Sequence, residues 1–224
     1  MGMDPLHLAI AFLPLALYLL VLGAIHLRGS PKVWSGAFDT GALGAAVSGL
    51  IVAGPMDLFL PAASPLPGAY LWLLMLALYA LAITLWNLLA RPRLVVFNVT
   101  LERLRPVLAE LAGRLDGQFT ATGDSYLLPQ LGVQFHLERY LPLHNISLVA
   151  IGDEQSFSAW RKLRRELSAA LAPVGSASPV AGYAFLFVGL AMFALPLWQL
   201  AHSDKNAVIE AVHDLLRQAP TKVG

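Results

Sequence analysis

Three groups of residues in this chain could do chemistry. The first centres on Asp57, in the stretch "GPMDLFLP" at residues 54–61, where an acid stands between two prolines at the end of an apolar run. Asp4, His7, His202 and Asp204 would join it if both chain ends and this stretch reach one side of a membrane. Histidine and aspartate together can hold a metal ion or relay protons. No His-x-x-x-His pair occurs among them, and the chain has no cysteine, which excludes thiolate catalysis and Cys-ligated metals. These residues are therefore a candidate outer polar cluster, with no metal and no cofactor assigned. The second group lies in "VQFHLE", residues 133–138, whose alternation puts His136 and Glu138 on one strand face, with His144 near in sequence. No Gly-rich phosphate loop or HExxH motif accompanies them, and "GDS" at 123–125 lacks the frame of a G-x-S-x-G elbow. No catalytic residue is assigned. The third group is Arg161, Lys162 and Arg165 in "SFSAWRKLRRELSAALA", with Arg164 at the edge of the apolar face. Such a basic helix face suits an acidic partner or an anionic leaflet, where each cation contributes about 1 kcal/mol.

The elements that must position these groups follow from composition. Hydrophobic residues make up 57% of the chain and charged residues 13%, about half the charged share of a soluble domain. The formal net charge of +1 is too small to imply a nucleic-acid partner. Four apolar segments, residues 6–27, 38–60, 69–90 and 179–201, have the length of roughly 20 residues that a bilayer core requires of a helix. The first lacks the basic start and small-residue cleavage site of a signal peptide and reads as a retained span. The basic residues Arg28, Lys32, Arg91 and Arg93 all fall between the first and second or after the third segment. That bias predicts an N-terminus outside and residues 91–178 in the cytoplasm.

On this topology Asp57 lies roughly 28 Å along the second helix from its entry at Phe38, at the outer interface, where a solvated acid is expected. Asp39 sits in the first turn at the opposite end and meets the positive pole of the helix dipole. The same helix carries a ladder of small residues, Gly41, Ala45, Gly49 and Ala53. Such ladders allow close helix packing, within one bundle or between copies in a homo-oligomer.

Residues 91–178 read as an α+β insert. "RLVVFNV" (93–99), "VQFHLE" and "NISLVAI" (145–151) have strand composition, and a hairpin turns at Gly123-Asp124. Two amphipathic helices flank them: one follows Thr100 with Leu104, Val107, Leu108, Leu111 and Leu115 on one face. The other spans 156–172 and buries Phe157, Trp160, Leu163, Leu167 and Leu171. The order predicts a mainly antiparallel sheet with both helices on one face, able to fold without the membrane helices. A last amphipathic stretch, "NAVIEAVHDLLRQAP", lies in the outer tail, residues 202–224.

"GPMDLFLP" and "RPRLVVFNVT" resemble segments of uncharacterised bacterial multi-pass membrane proteins with a short cytoplasmic α+β insert. The resemblance implies a bacterial inner membrane and transfers no site. The expected protein is thus a four-helix membrane bundle with an inserted α+β domain. It would act as an accessory, scaffolding or regulatory component that is not an enzyme, takes no cofactor and docks a protein partner or the lipid surface. A small transporter or channel using the outer His/Asp groups, or a membrane-bound enzyme using His136 and Glu138, are the alternatives.

Overall fold

Two strands of one sheet show how this chain builds its folded unit. "VQFHLERY" alternates apolar and polar residues, as a strand with one covered face does, whereas "RLVVF" is apolar at every position after the first, as a strand covered on both faces is. The computed structural model describes residues 5–56, 68–140, 145–152, 155–174, 180–203 and 209. It contains one six-stranded antiparallel sheet, made of β1 (Lys32–Ser35), β2 (Arg93–Phe97), β3 (Thr120–Thr122), β4 (Ser125–Leu128), β5 (Val133–Tyr140) and β6 (Asn145–Ala150). The spatial order is β1-β2-β6-β5-β4-β3.

Six α-helices are described: α1 (Pro5–Leu27), α2 (Gly36–Ile51), α3 (Gly68–Leu89), α4 (Leu101–Leu115), α5 (Phe157–Leu171) and α6 (Val180–His202). Four of them, α1, α2, α3 and α6, are long and apolar enough to cross a membrane. At the end of α2 the helical hydrogen bonding loosens into a π-helical turn, Val52–Met56, where Pro55 has no N–H to donate. The chain divides into two compact units, residues 21–40 with 89–186, and residues 1–20, 41–88 and 187–224.

In the first unit, α4 and α5 cover one face of the sheet. Leu94 and Val96 of β2, Tyr126 and Leu128 of β4, Phe135 and Leu137 of β5, and Ile146 and Leu148 of β6 are buried there with Leu104, Leu108, Leu111, Trp160, Leu163 and Leu167. The helices take this position because their apolar residues recur at helical spacing while their other faces are charged. Ser156 caps α5, its hydroxyl accepting from the Ala159 N–H at 3.4 Å. Thr100 occupies the corresponding position of α4 without a side-chain cap. Phe157, expected in the core, is instead 71% exposed, since the first turn of α5 leaves it on the outer side of the helix. Gly123 opens the β3–β4 turn with φ +61°, the left-handed conformation that a two-residue turn with glycine first requires.

Among the described residues the opposite face of the sheet is buried at Val95 and Phe97 of β2 and Ser147 of β6. Val95 and Phe97 point away from α4 and α5, yet Phe97 is 2% exposed. Its ring meets Trp34 of β1 at 5.0 Å and His26, near the end of α1, at 6.2 Å. His26 in turn lies 5.5 Å from Phe185 of α6. The ends of α1 and α6 approach closely here, because Gly182 has only hydrogen where a Cβ would press on His26 and Leu27. β1 is an addition to the predicted insert: residues 32–35, read as loop from sequence, pair with β2 from Lys32↔Phe97 to Ser35↔Leu94. β1 then runs straight into α2 at Gly36.

The second unit consists of apolar helix. Gly49 of α2 sits where a Cβ would overlap the Ile10 carbonyl oxygen of α1, and Gly44 faces Ile83 of α3. The Tyr79 hydroxyl of α3 donates to the Gly44 carbonyl at 2.8 Å, which the close approach permits. Leu81, Leu85 and Leu88 of α3 are exposed, the surface expected of a helix whose solvent is lipid.

Candidate functional site

The outer face of α5 follows from its inner one. With Trp160, Leu163, Leu167 and Leu171 buried against the sheet, Arg161, Lys162, Arg164 and Arg165 are all exposed. Among the described residues none of the four forms an ion pair of 4.0 Å or less. Glu166 is exposed on the same helix, so the surface is basic with one acid at its edge. It points away from the sheet, on the side opposite the corner where α1 and α6 end.

On the face turned away from α4 and α5 lie the polar residues of the alternating strand. Register places Ser125 of β4 across from His136 of β5 and Glu138 across from Ser147 of β6. Ser125 Oγ and His136 Nδ1 share a hydrogen bond of 3.1 Å; Glu138 is exposed. A serine and a histidine in contact suggest acyl transfer, which also requires an acid on the far ring nitrogen and free N–H donors for an oxyanion. Among the described residues His136 forms no hydrogen bond or ion pair with an acid, and paired strands spend their N–H groups on the ladder.

Three carboxylates have structural work. Asp116, 1% exposed after α4, accepts from the N–H groups of Gln118 at 2.9 Å and Gln130 at 2.7 Å, tying the approach to β3 to the β4–β5 connection. Asp124 accepts from Arg105 Nε at 3.1 Å, and this bond holds Arg105 still more firmly protonated. Burial pushes the Tyr126 phenol above its ordinary range, and the Arg105 guanidinium draws it partly back. At the start of α2, Arg93 of β2 donates to Thr40 Oγ1 at 3.0 Å and lies 3.6 Å from Asp39 Oδ2. The Arg93 stem fills the space that a side chain on Gly36 would need. Asn98, fully buried at φ 64°, donates to the His26 carbonyl at 3.3 Å. An open cleft of about 470 Å³ beside Pro129, Gly132, Gln134 and Gly152 is braced by Gln155, which donates to the Ile151 and Gln134 carbonyls. Among the described residues its lining holds no ionisable group.

Of the outer polar cluster, Asp4, Asp57 and Asp204 lie outside the described residues, as does the amphipathic tail except Ile209. His7 is partly buried in the first turns of α1, and His202 Nδ1 donates to the Trp198 carbonyl at 2.8 Å. No group of three His, Cys, Asp or Glu among the described residues could share a metal ion. In the small-residue ladder, Gly49 is buried and faces Ile10, Ala45 is exposed, and nothing lies within 4 Å of a Cβ placed on Gly41. Ala53 is partly buried.

By class this is a mixed α+β protein with four helices long and apolar enough to span a membrane. Comparison with protein-family models, curated proteins and solved structures finds no match.

Proposed function

We propose that the chain is an integral membrane accessory or scaffolding protein that presents its sheet unit to an acidic soluble partner through α5. The observation that carries this reading is the opposition of the two sheet faces. His26 near the end of α1 meets Phe97 at one face, itself backed by Phe185 of α6, while Arg161, Lys162, Arg164 and Arg165 are displayed by the helix packed on the other. A basic surface turned away from the helix ends is better placed for a soluble partner than for the lipid from which those helices emerge. Unneutralised cations steer an acidic partner into register and speed its association. The distribution of Arg28, Lys32, Arg91 and Arg93 supports a cytoplasmic location for this unit, and the resemblance noted above supports a bacterial inner membrane. Transport is the weaker reading, since the described parts of the four long helices hold a single Asp, Glu, Lys or Arg, namely Asp39 at the start of α2.

The test is comparative affinity purification of the full chain in mild detergent, wild type against a variant carrying R161E, K162E and R165E. A protein that co-purifies with wild type in low salt and is lost from the variant, at equal thermal stability, is the expected result. Identical co-purifying proteins would overturn the reading. So would slower amide exchange of α5 in anionic than in zwitterionic nanodiscs, which would return the surface to lipid.

A further inference from the structure

The two helices that cover the sheet treat their cations differently. On α4, Arg105 pairs with Asp124 and Arg114 with Glu110. On α5, Arg161, Lys162, Arg164 and Arg165 are exposed, and among the described residues none of them is paired. Arg161 and Arg165 stand one turn apart, where like charges repel. Glu166 does not relieve them. At about 100° per residue it lies on the flank beyond Lys162, about 140° round the helix from Arg161. An acidic partner removes that repulsion and supplies the missing charge.

The residue at the head of this face narrows the partner. Phe157 is 71% exposed and lies one turn before Arg161 and two before Arg165. These three side chains form one ridge of the i,i+4 kind, and Arg164 with Ser168 forms the adjoining ridge. The groove between the ridges runs on past Ala169 and Ala172, both exposed. Such a groove accepts the ridge of another α-helix, and the small side chains at its far end let that helix come close. The phenyl ring favours an apolar side chain, and the planar guanidinium forks match carboxylates. A helix with a row of carboxylates on one face and an apolar residue at the end of that row meets both.

We propose that α5 binds an acidic amphipathic helix of a soluble protein, with Phe157 as the apolar anchor and Arg161, Arg164 and Arg165 holding its carboxylates. This rests on α5 being the docking surface and adds the chemistry of what docks. The test is fluorescence anisotropy of labelled helical peptides with the full chain in an uncharged mild detergent. The first peptide carries glutamates one turn apart along a single face and a leucine at the end of that row. The second has alanine in place of the leucine, and the third has the same composition as the first with its glutamates spread round the helix. Wild type should bind the first peptide about tenfold more tightly than the second, the ratio expected of burying most of one large apolar side chain, and more tightly than the third. F157A should abolish the difference between the first two peptides without altering the salt dependence. R161E with R165E should remove binding of all three at an unchanged melting temperature, since both positions are exposed. If F157A binds the first peptide as tightly as wild type does, if the third binds as well as the first, or if no peptide binds, the proposed partner is wrong, and the co-purification test still decides the broader reading. Tighter binding of a single-stranded oligonucleotide of equal charge would likewise overturn it. Binding that survives R161E with R165E would overturn both.

Discussion

β2 and β5 lie in the same sheet, separated only by β6, yet they are covered differently. β5 buries Val133, Phe135 and Leu137 under α4 and α5 and leaves Gln134, His136 and Glu138 less covered. β2 buries Leu94 and Val96 under the same helices and Val95 and Phe97 on the reverse. The first pattern needs only a neighbouring amphipathic helix. The second needs something on each side, and at Phe97 the second cover is supplied by Trp34 and by His26 of α1, which Phe185 of α6 backs. An uninterrupted apolar run in a short strand thus marks the place where this soluble-type sheet is joined to apolar helix. An alternating run marks the part that is free to meet something else.

The comparison can be broken most severely at Phe97. Truncation to alanine removes a fully buried ring between Trp34 and His26 and should cost about 3–5 kcal/mol. Glu138→Ala on the same sheet face should stay within about 0.5 kcal/mol. Denaturant melts of the full chain in detergent, followed by tryptophan fluorescence, separate the two; equal losses would mean that β2 is no more covered than β5.

A smaller effect is expected where β2 meets α2. Asp39→Asn weakens the contact with Arg93, which is about one-third exposed, so solvent screening limits the loss to about 1 kcal/mol or less. Thr40→Val removes a neutral acceptor of the same guanidinium and should cost a comparable amount alone, with the double variant departing from the sum of the two. Strict additivity of the two would show that Arg93 does not link them.

The smallest effect concerns pH at β4. Burial raises the Tyr126 phenol above its ordinary value of 10.0, so the folded state favours the neutral ring. Its contribution is fully present below pH 10.0 and is lost as pH climbs through the raised value. Melting temperatures of wild type should therefore fall more steeply above that pH than those of Tyr126→Phe. Parallel curves would show that the ring is no better shielded in the folded chain than in the unfolded one.

Much of this architecture is legible in the residues. The 3.6 periodicity of "LERLRPVLAEL" and "SAWRKLRREL" places α4, α5 and their buried leucines, and the alternation of "VQFHLE" places His136 and Glu138 together. What is not legible depends on contacts between segments far apart in the chain. "KVWS" is a four-residue strand flanked by proline and glycine, with no periodicity of its own, and it becomes a strand by pairing with β2 some sixty residues later. Asp116 follows a helix and reads as a solvated end; the returning backbone at Gln130 is what buries it. The small-residue ladder of α2 is regular in sequence, but the helix meets Ile10 at Gly49 and Ile83 at Gly44, because neighbouring helices cross it at different heights and on different sides. Continuous apolarity in "RLVVF" does signal two-sided cover, though only the fold shows that Trp34 and His26 provide it at Phe97.

The most direct measurement uses the absence of cysteine from the chain, which gives single-cysteine variants a clean background. Val95→Cys and Glu138→Cys place one thiol each on the same sheet face, at its covered corner and on its open part. Maleimide labelling of the folded full chain in mild detergent, with the unfolded chain as reference, should modify position 138 within the mixing time. Position 95 should react only as fast as the protein opens. Comparable rates at the two positions would contradict the account, because the reverse face of β2 would then be no more covered than that of β5.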